Sequence, residues 1–410
     1  MKIAVVSAHV SPLAALSGAG SNGERVHAAE LAKTLGRRGH QVTIYTRRDS
    51  ATLPAKVSAG PGVTVEHVPA GPPEAMPTEK QLKYMPEFGA YLADRWLREP
   101  PDVVHAHSWT SGMAALAGAR NLGIPVTQTF HSLGIVQRRH HGPGDDSPAA
   151  RIRLEVAIAR DADAVLATCS DQQSELARLG IPRRSIRVVP SGVDTDEFTP
   201  DGPAARRGEN PRLLSIARPA EHKGLDTTLR ALTAVPDAEL VIAGGPPRAQ
   251  LRNDREYRRL AKLASSLGVT NRVKFYGRVG HRDVPALLRS ADLLIDVPWY
   301  ESSGRATLEA MACGTPSVAS AVGGHTDTVV DGSTGALVPP MEPDALARKI
   351  RDLLASPMLL QGYGIAAADR ARSRYSWDRI GQETLAVHQQ TLQARNGGSR
   401  PRARQAASAG

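Results

Sequence analysis

The chain reads as two α/β domains, each a doubly wound parallel sheet, facing each other across a cleft. Short apolar runs alternate with helical patterns along the sequence, which is the signature of parallel βαβ units. After PSGVDTDEFTPDGPAARRGENP, rich in proline, glycine and charge, the alternation restarts at RLLSIAR. A length of 410 residues also exceeds what one hydrophobic core usually organises. The seam is expected near residues 195 to 210. This gives an N-terminal domain over 1–195 and a C-terminal domain over 196–375. A last helical stretch, 376–395, is expected to pack back on the first domain, and 396–410 reads as a disordered basic tail.

Each strand rests on a short apolar run bounded by turn residues. In the first half these are KIAVVSA, HQVTIYTR, DVVHAH, PVTQTF, AVLATC and RVVPSG, with ERVHAAELAKTLGRRG as the first helix. In the second half they are RLLSIAR, AELVIAGG, RVKFYGR, ADLLIDVP, PSVAS and GALVPP. No repeat of fixed period and no heptad run interrupts them.

Composition narrows the chemistry. With 41% hydrophobic and 22% charged residues the chain has the make-up of a globular enzyme, and a net charge of +10 favours anionic ligands. Aromatics at 4% argue against nucleic acid, since single-strand binders need stacking platforms. Part of the charge belongs to the tail, with Arg400, Arg402 and Arg404. Two cysteines, Cys169 and Cys313, form no disulfide framework and point to a reducing compartment. MKIAVVSAHV is too short an apolar run for a signal peptide, and no stretch approaches the ~20 residues of a membrane span. A cytoplasmic location is expected.

Open α/β sheets bind ligands at the carboxyl ends of their strands, so the loops there carry the candidates. Gly18, Gly20 and Gly23 precede the first helix and permit close approach to a phosphate or sugar. They match the bare GxGxxG spacing. The first glycine, however, lies about ten residues past the strand, and the second strand ends in Thr46-Arg47-Arg48, so a dinucleotide site fits poorly. Arg218 at a strand end and Lys223 opening a helix suit a diphosphate, or else form a solvated basic turn. Glu301 and Glu309 stand eight positions apart around the start of a helix that stops at Gly314-Thr315-Pro316. Carboxylates there suit sugar hydroxyls, while the bland reading is a capped amphipathic helix. His105 and His107 are read as facing opposite sides of a strand with no acidic third ligand adjacent, so no metal is expected. His131 follows a strand and precedes Gly134, at the cleft edge, as a substrate contact or a structural histidine. The run Arg138 to His141 is read as surface loop.

Together these stretches resemble the retaining glycosyltransferases of family 4, with their two-Rossmann-domain GT-B fold. The resemblance runs from residue 1 to about 390, and E-x7-E followed by AMACGTP, Glu301 to Pro316, is its most specific element. The glycine loop, PSGVDTDEF, Arg218 with Lys223, and VKFYGRVGHRDV support it. Within the family, SAHVSPLA, HVPAGP, HSWTSG and FHSLG look most like the mycothiol-pathway branch that joins N-acetylglucosamine to inositol phosphate, and more loosely like sucrose-phosphate synthases.

The resemblance implies roles. Glu309 would bind the ribose and Glu301 the donor hexose, with Ser303, Gly304 and Arg305 beside it. Arg218 and Lys223 would hold the diphosphate, Gly23 the phosphate or sugar from the opposite domain, the backbone near Arg278 the base, and His131 the sugar near the reacting carbon. Thr78, Ser108, Ser132 and Arg151 fall where that branch holds its acceptor. Thr78 replaces a lysine and Ser108 the tyrosine of an HYW motif, so a phosphorylated acceptor is put in doubt. YESSGRATLE also departs from the usual EPFG-like opening.

The expected activity is therefore a metal-independent, retaining hexosyl transfer, glucose or N-acetylglucosamine in type, from a UDP-linked donor to a hydroxyl of a small polyol, aminocyclitol or sugar. The nucleotide sugar is a co-substrate and no cofactor is expected. Inositol phosphate is an alternative acceptor. A lipid-linked acceptor is another, with Arg37, Arg38, Arg47 and Arg48 as a basic face toward headgroups. A GT-B epimerase or a non-catalytic sugar-nucleotide-binding subunit are the rivals of another class. Peripheral membrane contact and a homodimer stay open.

Overall fold

The computed structural model describes residues 1–8, 11, 23–141 and 147–396. Fourteen strands lie in two sheets among them. The first runs β3(Lys56–Gly60), β4(Val63–Val68), β2(Gln41–Arg47), β1(Lys2–Val6), β5(Val103–His107), β6(Val126–Thr129), β7(Ala164–Ala167), β8(Ile186–Val188). All its pairings are parallel except β3 with β4. The second, wholly parallel, runs β11(Val273–Gly277), β10(Glu239–Ala243), β9(Arg212–Ile216), β12(Leu293–Asp296), β13(Ser317–Ser320), β14(Ala336–Val338).

Successive strand residues point to opposite faces, and both faces are covered, which is why the strands read as continuous apolar runs. Ile3, Val5, Ile44 and Val103 pack on one side with Leu31 and Leu35 of the helix Gly23–Arg37. Ala4, Val6 and Val104 pack on the other with Phe88, Leu92 and Trp96. The second sheet repeats the plan, Leu213, Leu240 and Leu293 on one face, Leu214, Val241 and Leu294 on the other.

The strands β3 and β4, with their tight turn at Pro61-Gly62, were not among the runs read from sequence. Lys56–Gly60 is an exposed-alternating edge segment, and its Val57 is its only β-branched residue. Gly62 has φ 69°, and a Cβ there would come within 2.6 Å of the His40 carbonyl oxygen.

The C-terminal helix Trp377–Asn396 crosses back: Trp377, Ile380, Leu385 and Val387 join the core built on β1 and Leu31. Gly192 faces the Trp377 ring, where a Cβ would lie 2.6 Å from it. The tail beyond Asn396, with its three arginines, lies outside the described residues.

The strand order reverses between β1 and β5 in the first sheet and between β9 and β12 in the second. Such switch points open crevices at the carboxyl ends of the strands.

Candidate active site

The loops after β9 and β12 meet through one glycine. Gly224 sits at φ 70°, and a Cβ there would fall 1.8 Å from the Val297 carbonyl oxygen. Trp299 N–H donates to the His222 carbonyl at 2.9 Å, tying the two loops together. Lys223 is thereby set beside Glu301, Nζ to Oε2 2.9 Å. Glu301 Oε1 also receives long contacts from the N–H groups of Ser303 at 3.3 Å and Gly304 at 3.4 Å, at the start of the helix Arg305–Ala312. Its own carbonyl is packed by Gly323, where a Cβ would lie 2.1 Å away, and accepts from Gly324 N–H at 2.8 Å.

Burial alone would raise the Glu301 carboxyl, but Lys223, His325 and the Ser303 N–H outweigh it and hold it down to about 2. Burial likewise opposes the Lys223 ammonium, and Glu301 with Asp296 more than restores it. The pair is a fixed ion pair. Glu309 differs: burial raises its carboxyl, and Arg305, with Nε 3.2 Å from Oε1, only partly offsets this. Arg218 is exposed two residues past β9, and its charge bears on Lys223. Arg278 is exposed just past β11, where its N–H donates to the Pro246 carbonyl at 2.9 Å.

On the opposite side Gly23 opens its helix in an exposed position, while Gly18 and Gly20 lie outside the described residues. Thr78 begins the short helix Thr78–Gln81. Ser108 follows β5 with φ 67° and its N–H on the Thr129 carbonyl at 2.7 Å. His131 has φ 59°, the left-handed region that costs a non-glycine residue and recurs at functional sites.

Arg151 is buried and fully engaged. Nε donates to Glu155 at 2.7 Å, one terminal nitrogen to Ser147 Oγ at 2.9 Å and to Gln137 Oε1, the other to the carbonyl and hydroxyl of Ser132 at 3.2 and 3.1 Å. A guanidinium has five N–H donors, and five acceptors are in place.

A pocket of about 140 Å³ joins the two sides. Ser132, Gln137 and His140 line it from the first domain; His222, Lys223 and Glu301 from the second, with Tyr300 stacked on the His140 ring at 5.2 Å. Of the candidates named from sequence it gathers Ser132, Lys223 and Glu301. His131 adjoins it through Ser132, whereas Gly23, Ser108, Arg151, Arg218, Arg278 and Glu309 are not among the described residues that line it. His140, His222 and Tyr300 were missed; adjacency to Lys223 and Glu301 was the available signal for the last two. The domains are also joined by Thr168 Oγ1 to the Ser302 carbonyl at 3.1 Å and by Ser170 N–H and Oγ to Asp327 at 2.6 and 2.5 Å.

Three expectations change. His105 and His107 share one face of β5, as positions two apart on a strand do, and their rings stack at 4.3 Å rather than pointing apart. His388 of the C-terminal helix meets His105 at 5.2 Å, and His27 meets His107 and His131 at 5.6 and 5.0 Å. Arg138 to His141 belong to the helix Gly134–His141, not to a loop. The basic face is also reduced: Arg47 is buried and donates to the carbonyls of Arg48, Pro72 and Glu74, and Arg48 to those of Ala51 and Leu53. Among the described residues no group of three His, Cys, Asp or Glu side chains could hold a metal, and no helix is long and apolar enough to cross a membrane.

Comparison with known proteins gives the family and the fold. The model of Glycosyltransferase Family 4 matches residues 21–197, and that of Glycosyl transferases group 1 matches 201–370. A D-inositol 3-phosphate glycosyltransferase of Streptomyces avermitilis is 34% identical over 96% of this chain and 88% of its own length. One from Xylanimonas cellulosilytica is 34% identical over 96% and 98%. Sucrose-phosphate synthase from Thermosynechococcus elongatus superposes with a TM-score of 0.85 at 26% identity, over 96% of this chain and all of that one. Anabaena HepE, in complex with UDP and glucose, superposes with a TM-score of 0.72 at 20% identity, over 94% and 99%, and shows the fold alone. Two parallel-sheet domains, the cleft between them and these relatives lead to one conclusion: the chain belongs to glycosyltransferase family 4 and is a GT-B glycosyltransferase.

Proposed function

We propose that this glycosyltransferase moves a glucose- or N-acetylglucosamine-type hexose from a UDP-linked donor to a hydroxyl of an unphosphorylated polyol, aminocyclitol or sugar, with retention and without a metal. The observation that carries the reading is the Lys223–Glu301 pair, set at a strand-end switch point and facing Ser132 across one pocket. UDP is favoured because HepE, of the same fold, binds UDP with glucose. Lys223 and Arg218 supply the positive charge that a departing diphosphate requires, the part a metal plays in other transferases. Glu301 is committed to Lys223 and to backbone N–H groups, which suits a hydroxyl-binding carboxylate rather than a nucleophile. The anomeric carbon–phosphate bond breaks as the acceptor oxygen bonds to the same face, and the hydroxyl proton passes to the leaving diphosphate oxygen. No cofactor is needed beyond the nucleotide sugar. Two free, buried cysteines accord with a reducing, cytoplasmic setting.

The neutral acceptor rests on Arg151. All five of its donors are engaged, so a phosphate would have to displace Ser132 or Gln137. Nucleotide release with a UDP-sugar is expected to saturate with a neutral or amino cyclitol. Saturable release with inositol phosphate alone overturns the acceptor assignment. Arg151→Ala is expected to act on the fold, since it removes the ion-pair partner of buried Glu155, which keeps the Gly134 N–H but loses its cation, a loss on the order of 3–5 kcal/mol. A melting temperature lowered by several degrees, alongside an unchanged KM for a neutral acceptor in the surviving enzyme, is the predicted result.

A further inference from the structure

We propose that His107 is a positioning residue for His131, fixing its ring in the tautomer that carries the proton on Nδ1. His107 Nδ1 and His131 Nε2 lie 2.9 Å apart, with the rings at 18° to each other, so one hydrogen is shared between them. Two arrangements satisfy that distance. If His131 donated, a neutral His107 would carry its own proton on Nε2. That atom is buried and has no hydrogen-bond partner, and an orphaned buried N–H is rarer than an orphaned acceptor. If His107 donates from Nδ1, its Nε2 is a bare nitrogen among stacked rings, and His131 is left with its proton on Nδ1.

The sequence builds the contact locally. His107 and Thr129 are register partners on β5 and β6, and His131 follows two residues after Thr129. Its left-handed backbone turns the chain at this point, and the ring lies back against β5. His107 is itself held by His105, which stacks on it at 4.3 Å and is anchored to Thr129 Oγ1 at 2.9 Å. His27, bonded to Ser191 Oγ at 3.3 Å, closes the other side. Burial and the neighbouring imidazoles keep His107 neutral, as the donor role requires. What the fixed tautomer of His131 serves rests on the transfer reading: it keeps the proton on Nδ1 throughout, where a ring free to exchange tautomers would carry it there part of the time.

Long-range proton–nitrogen NMR of the full-length, histidine-labelled protein reads the tautomer directly, with His131→Gln assigning the signals. A bare Nε2 and protonated Nδ1 are expected for His131. In His107→Phe the ring is expected to revert toward the Nε2–H form favoured by free imidazole, and kcat to fall roughly tenfold with donor KM changed little. His107→Asn, which restores an N–H at the same place, is expected to recover the tautomer and most of kcat. An Nε2–H tautomer in the unmodified protein overturns the proposal, even where His107→Phe does not fold. So does His107→Phe with unchanged tautomer and kcat. The expected tautomer in a protein that transfers no sugar overturns the transfer reading and leaves the positioning role standing.

Discussion

Lys223→Ala is expected to lower turnover by roughly a hundredfold, the scale of losing one preorganised donor to developing transition-state charge. The ammonium stays protonated throughout the working range because Glu301 and Asp296 hold it so against burial. It therefore offers the departing diphosphate a full charge at no cost of protonation. Its removal has a second effect: Glu301 loses the partner that holds its carboxyl down to about 2. The pair is only partly enclosed, with 30% of the Lys223 side chain and 17% of Glu301 exposed. The stability lost is then about 1–3 kcal/mol, that of one unsatisfied charged group, rather than that of a sealed ion pair. The two effects separate in Lys223→Met combined with Glu301→Gln, which leaves no unpaired charge. Stability is expected to recover there while turnover stays low. Folded Lys223→Ala with near-normal turnover would remove Lys223 from the chemistry.

Acid is expected to destabilise the protein well before its carboxylates titrate. His27, His105, His107 and His388 are all held below their ordinary range, chiefly by burial, and His388 down to about 4. Below about pH 6.5 the unfolded chain binds protons that the folded chain refuses, so stability falls as pH falls toward the folded values. His388 alone accounts for roughly 3 kcal/mol across the window from 6.5 to about 4. His325 runs the other way: Asp296, 3.2 Å away, raises it against burial. Its contribution is full below pH 6.5 and is lost as pH rises through its folded value. Glu301 adds a loss only between about 4.5 and 2. His40 is lowered too, by partial burial and by the N-terminal ammonium and Arg38, so five lowered histidines against one raised give a net fall. The melting temperature is expected to drop steeply from pH 6.5 to 4.5. His388→Leu should flatten that dependence by one proton, about 1.4 kcal/mol per pH unit. An unchanged slope in His388→Leu would show that its ring is not buried neutral.

The parts of this molecule that were legible in sequence are those governed by local pattern. Buried parallel strands are apolar on both faces, so β1, β2, β5 to β7, β9, β10 and β12 to β14 announce themselves, and β8 and β11, part exposed at the sheet edges, still carry short apolar runs; β3, an edge strand with one face in water, does not, and the buried β4 beside it was missed with it. Arg218, Lys223 and Glu301 could be singled out because strand-end loops are where such sheets place ligand groups. What sequence withheld is tertiary. Arg151 is an available cation until Gln137, Ser147 and Glu155 are folded around it. The histidine array needs the C-terminal helix brought across more than 280 positions of chain to set His388 beside His105. The pairing of His105 with His107 was within reach of strand periodicity alone and was misread.

The measurement that most directly tests the central claim is the anomeric configuration of the product formed from an α-linked UDP-hexose and a neutral polyol in the presence of a chelator, read by proton NMR. The account predicts a stoichiometric, acceptor-dependent release of UDP with an α-linked product, unaffected by chelation. A β-linked product, activity abolished by the chelator, or an epimerised sugar released without acceptor would contradict it.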